Sequence, residues 1–101
     1  MNTKQQALNL LGMATRAGKL ITGDSFSLSE IQSQRAKIVL LASDASDNTR
    51  KKFLDKCLYY NIPISSLFTK EEISQAIGKN RTVCVLTDPG FSAKLQELLL
   101  N

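Results

Sequence analysis

Apolar and polar positions alternate along the chain in two distinct rhythms, and the switches between them mark the elements. Over Thr3 to Ala17, apolar side chains recur at Leu8, Leu11 and Met13/Ala14 with Leu10 beside them, the spacing of a helix with one buried face. Gly18 fits the glycine that ends such a helix, because it enters the left-handed backbone region without a Cβ penalty. "KLIT" is a short strand candidate ending at Gly23. "DSFSLSEIQSQR" then reads as a helix with Leu28 and Ile31 on one face, and Asp24 or Ser25 is expected to cap it. Ile38 to Ala42 is an unbroken apolar run, which predicts a central strand covered on both faces.

The second half repeats the alternation. Ser46 to Asn61 is a helix capped by Ser46 or Asp47, with Phe53, Leu54, Cys57 and Leu58 as the expected buried stripe and Asn61 at its end. "IPISSLF" predicts a strand, with Pro63 near its start, where a missing N–H costs least. Thr69 and Glu72 have capping-box spacing, so a helix opens there with Ile73, Ala76 and Ile77 inward, and Gly78 ends it. "TVCVLT" is a second apolar strand, "DPG" turns the chain, and Leu95, Leu98 and Leu99 form the inner face of a last helix. Helix and strand thus alternate over nine elements. Such alternation predicts a sheet sandwiched between helix layers, a three-layer α/β/α domain spanning residues 1–101.

Composition narrows the function. Lys plus Arg number 13 against 9 Asp plus Glu, a net charge of +4 that favours a polyanionic partner. No apolar run is long enough for a membrane span, and "MNTKQQ" lacks a signal peptide's apolar centre, so a cytoplasmic location and no membrane partner are expected. With no His and only Cys57 and Cys84, the usual zinc sets and the commonest general base are missing. Both cysteines read as core residues, and no cofactor, metal or small-molecule substrate is expected.

"GMATRAGKL", Gly12 to Leu20, invites comparison with a phosphate-binding loop. It fails, because five residues separate its glycines, Leu20 stands where a hydroxyl is needed, and a helix precedes the stretch where a strand should. The serines Ser25, Ser27 and Ser29 have no base beside them, which argues against nucleophilic catalysis and for a non-enzyme. Asp44 and Asp88 read as turn and capping residues. Ligands of such sheets meet the loops at the carboxyl ends of strands, here Thr22 to Phe26, Ser43 to Asp47, Phe68 to Lys70 and Thr87 to Phe91. Basic residues cluster near some of these. Arg16 and Lys19 flank the end of the first helix, Lys79 and Arg81 stand beside Asn80 in "GKNR", and Arg50, Lys51 and Lys52 begin the third helix. Cations there oppose the helix dipole, so an outside anion would justify them, as would simple solvation.

With "AGKLITGDSF", "KIVLLASDAS", "DKCLYYNIPI" and "CVLTDPG" in this order, the chain resembles the ribosomal protein L7Ae family over nearly its whole length, and most its small bacterial YlxQ-type members. The resemblance implies a three-layer sandwich with a mixed four-stranded sheet, and binding of kink-turns, sharply bent RNA duplexes with tandem sheared G·A pairs. It further implies that the loop opening the second helix enters the bent major groove, and that an apolar loop before the last strand packs on a flipped-out base. Gly23 matches the glycine of the family motif. Beyond it the chain departs: Ser25 and Phe26 stand where an Asn-Glu or Lys-Gln pair is usual, Ser29 where a Lys is usual, and the loop before the last strand, "GKNRT", is polar. Phe26 has two readings, a platform for an unpaired base or a core residue. The expected function is a monomeric, non-catalytic RNA-binding protein associated with the ribosome or translation, its site formed by Arg16, Lys19, Gly23, Asp24, Ser25, Phe26, Lys79, Asn80 and Arg81. The alternative is a protein-interaction module of the translation machinery that has lost kink-turn reading.

Overall fold

The computed structural model describes residues 2–100, with side chains through Leu99. Asn2 opens the first helix, its Oδ1 accepting from the Gln5 N–H at 2.7 Å. This helix, α1, spans Thr3–Arg16. It ends as Gly18 predicts: with φ at 70° there, the Gly18 N–H reaches the Thr15 carbonyl and the Lys19 N–H reaches that of Ala14 at 2.9 Å. These paired bonds satisfy carbonyls the helix would otherwise leave open. Gly12, the other glycine of that stretch, sits in the helix where α1 crosses a later one. A Cβ there would lie 3.1 Å from the Ala76 carbonyl oxygen, so its role is close packing.

The remaining elements follow the predicted order: β1 (Leu20–Thr22), α2 (Asp24–Gln32), β2 (Ile38–Leu41), α3 (Asp47–Tyr60), β3 (Ile64–Ser65), α4 (Lys70–Ile77), β4 (Val83–Leu86) and α5 (Pro89–Leu100). The four strands form one mixed sheet in the order β1-β4-β2-β3. β4 runs antiparallel to both neighbours, with Ile21 opposite Val85 and Val39 opposite Val85 on its other side, whereas β2 and β3 are parallel.

The two central strands are apolar throughout because both faces are covered. Ile38, Leu40, Cys84 and Leu86 point into a core shared with Ala7, Leu11 and Ala14 of α1, Ile73 and Ile77 of α4 and Leu95 of α5. Val39, Leu41, Val83 and Val85 point the other way, onto Ile31 of α2 and Phe53 and Cys57 of α3. The strand period of two thus divides each run between two cores, and each large side chain so enclosed contributes about 1.5–3 kcal/mol.

Three expectations are corrected. β3 is much shorter than "IPISSLF", since Phe68 leaves the strand to enter the α1–α4 core. On α3 only Phe53 and Cys57 of the expected stripe are buried, while Leu54 is 42% and Leu58 83% exposed. These two lie one position further around the helix, beyond the sheet edge, where no other element covers them among the described residues. The third correction concerns the loops. Because β4 is antiparallel to the other three strands, Thr87 to Phe91 lies at the opposite end of the sheet from the loops after β1, β2 and β3. The loop before β4, Gly78 to Thr82, takes its place beside Gly23.

A cleft between the Gly23 turn and the Arg81 loop

Gly23 begins α2 with φ 95° and ψ 157°, a combination open essentially to glycine alone. Its N–H donates to the Val83 carbonyl at 3.0 Å, which ties the turn to the start of β4, and its carbonyl accepts from the Ser27 N–H. The expected cap from Asp24 or Ser25 does not form. Both residues already lie inside the helix, and no side chain caps this N-terminus. Helix geometry therefore leaves first-turn N–H groups of Asp24, Ser25 and Phe26 without intrahelical acceptors.

These groups border an open cleft of about 380 Å³ lined by Thr22, Gly23, Asp24, Ser25, Phe26, Asn80, Arg81 and Thr82. Arg81 is held on its far wall at several points. Its Nε donates to Thr22 Oγ1 at 3.3 Å and its Nη1 to the Asn80 carbonyl at 3.0 Å, while its backbone N–H donates to Ser74 Oγ at 3.1 Å. No carboxylate forms an ion pair with it among the described residues. The guanidinium thus keeps its charge available on a fixed stem. Asp24 is the one acid on the cleft wall, and Lys52 Nζ of α3 stands 3.8 Å from its Oδ2 while also lying 5.3 Å from the Phe53 ring centre.

Of the residues picked from the sequence, Gly23, Asp24, Ser25, Phe26, Asn80 and Arg81 come together here. Phe26 is 72% exposed, so it is not a core residue. Lys79 is exposed next to Asn80 but does not line the cleft. Arg16 lines a separate groove between α1 and α4 with Gln5, Asn9, Gly12 and Gln75, and exposed Lys19 is separated from Gly23 by the length of β1.

The cations at the start of α3 divide. Arg50 Nη1 donates to the Ser43 carbonyl at 2.6 Å, Lys52 faces Asp24, and Lys51 is exposed. Thr82 escapes sequence reasoning, and Thr22 and Lys52, singled out as a strand-end residue and a helix-start cation, are not assigned there to the same site. Lys52 belongs beside the cleft only because α2 and α3 pack side by side on the sheet, a relation no local pattern encodes.

The two aspartates beside strands are capping residues, as read. Asp44 Oδ1 accepts from the Lys70 N–H at 2.9 Å, and Asp88 Oδ2 from the Phe91 N–H at 3.0 Å. Cys57 and Cys84 point into opposite cores, and burial pushes their thiols up to about 11 and about 12, so both stay protonated and unreactive. Among the described residues no group of three His, Cys, Asp or Glu side chains could hold a metal, and no helix is long and apolar enough to cross a membrane.

The fold and its sequence have well-defined counterparts. A protein of unknown function from Bacillus halodurans superposes with a TM-score of 0.90 at 41% identity, covering 94% of this chain and 97% of that one. The Giardia lamblia 15.5kD RNA binding protein superposes at 0.81 over 96% of this chain and 84% of that one, and at 17% identity it speaks for the fold alone. By sequence the chain is similar to the "RNA-binding protein YlxQ" of Enterococcus faecium, 50% identical over 95% of this chain and 93% of that protein. The protein of the same name from Bacillus subtilis (strain 168) is 46% identical, over 89% of this chain and 91% of that one. Residues 5–96 match the description of a single family, and the chain belongs to it: the ribosomal protein L7Ae/L30e/S12e/Gadd45 family.

Proposed function

We propose that the protein is a cytoplasmic, monomeric RNA-binding protein whose chain, residues 1–101, acts as one domain on kink-turn or similarly bent RNA, in association with the ribosome or translation. Relatives at 46–50% identity are named RNA-binding proteins, and the reading is accordingly non-catalytic. The observation that carries it is the cleft. An uncapped helix N-terminus and an arginine with no carboxylate partner among the described residues face each other across an open gap, and this pairing suits phosphate oxygens. Phosphate would meet the N–H groups of Asp24 to Phe26 and the guanidinium of Arg81, with Asn80 and Ser25 offering hydrogen bonds to sugar or base edges. Lys79, Lys19 and Arg16 would meet phosphates of an RNA that runs on past the cleft.

Titration with a kink-turn RNA, and with a control lacking its sheared G·A pairs, tests this. The kink-turn should bind more tightly, and for about four phosphate contacts log affinity should fall against log salt with a slope of about −3 to −4. A flat salt response overturns RNA binding by this cleft. Equal affinity for the two RNAs rejects kink-turn specificity and favours the second reading, a protein-interaction module. One feature supports that reading: Leu54 and Leu58 of α3 stand exposed beside Pro63 and Ile64 at the β3 edge.

A further inference from the structure

Phe26 is the one apolar side chain among the eight that line the cleft. It is 72% exposed, although the α2–α3 core that takes up Ile31 lies on the same helix. One turn on, Ser29 is short and exposed, and Glu30 is engaged by Arg35, whose Nε and Nη2 reach its Oε2 at 2.8 and 2.6 Å. A polar wall suffices to hold phosphate and sugar, whereas a bare planar ring matches the face of a nucleobase. Bases within a duplex have both faces covered by their neighbours, so only an unstacked nucleotide can offer one.

We infer that Phe26 is a specificity-determining residue of the cleft, a platform on which one unpaired RNA base stacks while Arg81 holds backbone phosphate on the opposite wall. The inference rests on the proposed RNA-binding reading and adds to it the residue of this chain on which an unpaired base stacks. Recognition is of an unpaired base and not of a particular letter, because every base has a π face.

The test is a kink-turn hairpin carrying 2-aminopurine at its unpaired position, titrated with the full chain. Wild type should quench the fluorophore. Phe26→Leu, which keeps bulk but not the aromatic plane, and Phe26→Ala should leave it bright and weaken binding roughly 5- to 150-fold. Phe26→Tyr should retain both properties. An RNA with an abasic residue at that position should bind wild type about as weakly as the intact RNA binds Phe26→Ala, and combining the two changes should add little. Because the side chain is mostly solvent-exposed, the variants should melt with wild type, which separates the result from loss of folding. If Phe26→Leu binds like wild type and fluorescence is unchanged on binding, stacking is overturned and RNA binding stands. If wild type shows no salt-dependent RNA binding at all, both fall.

Discussion

Two helices, α2 and α4, begin at the same end of the sheet, beyond the carboxyl ends of β1 and β3, and their starts are built in opposite ways. At α4 the chain satisfies its own donors: Thr69 Oγ1 accepts from the Glu72 N–H, the Glu72 carboxylate accepts from the Thr69 N–H at 2.9 Å, and Asp44 reaches across from the β2 loop to the Lys70 N–H. At α2 the corresponding position is Gly23, which has no side chain to offer, and among the described residues none is supplied from elsewhere. A side-chain cap contributes about 1 kcal/mol, so omitting one at α2 forgoes stability while leaving N–H groups exposed to an outside acceptor. One start is finished by the protein, and the other keeps its donors open, where the proposed RNA phosphate would meet them.

The largest expected effect comes from removing the glycine that makes the open start. Gly23→Ala has room for its methyl group, since the nearest atom, Arg81 Nε, is 3.9 Å away, but the backbone at φ 95° resists any Cβ. A cost of about 1–3 kcal/mol should lower the melting temperature by roughly 4–8 °C per kcal/mol, read by thermal unfolding. A melting temperature equal to wild type would mean that the turn adopts another conformation. Next is Arg81→Ala. It should weaken RNA binding by about tenfold or more and flatten the salt slope by about 1, while Arg81→Lys keeps the slope but loses the tether to Thr22. An unaltered slope would remove Arg81 from the phosphate contacts.

The closed start supplies the control. Thr69→Ala should cost about 0.5–2 kcal/mol in stability and leave RNA affinity unchanged, so a comparable loss of affinity would erase the functional contrast between the two starts. The smallest effect is acid sensitivity at the same cap. The Lys4 ammonium, 2.8 Å from the Glu72 carboxylate, and then the Thr69 N–H hold Glu72 below its ordinary value of 4.5. A carboxyl group lowered in the folded state stabilises it above that value and loses the contribution as pH falls through and below it. Melting temperatures measured down a pH series should therefore drop more steeply below about 4.5 in wild type than in Glu72→Gln.

The α4 start was legible in the sequence because its capping box is local: Thr69, Glu72 and Gly78 lie within ten residues. So were the left-handed ends at Gly18 and Asn61 and the two fully buried strands, each written in neighbouring residues. The α2 start was misread at its cap, since Asp24 and Ser25 are good capping types and only the backbone angles of Gly23 put them inside the helix. Leu54 and Leu58 fit a helical stripe equally well, but among the described residues no strand lies beyond β3 to cover them.

By itself, the sequence determined the alternation of nine elements, the caps of α3 and α4, the covered central strands and the basic balance, because these follow from spacing and side-chain chemistry over short stretches. The tertiary structure alone decided which loops meet. The antiparallel insertion of β4 between β1 and β2 carries Asn80 and Arg81 to the Gly23 turn and takes Thr87 to Phe91 away, and the packing of α2 on α3 brings Lys52 to Asp24. Strand direction and helix neighbourhood are settled by long-range pairing and by the joint burial of two cores, and neither leaves a local pattern for a single sequence to show.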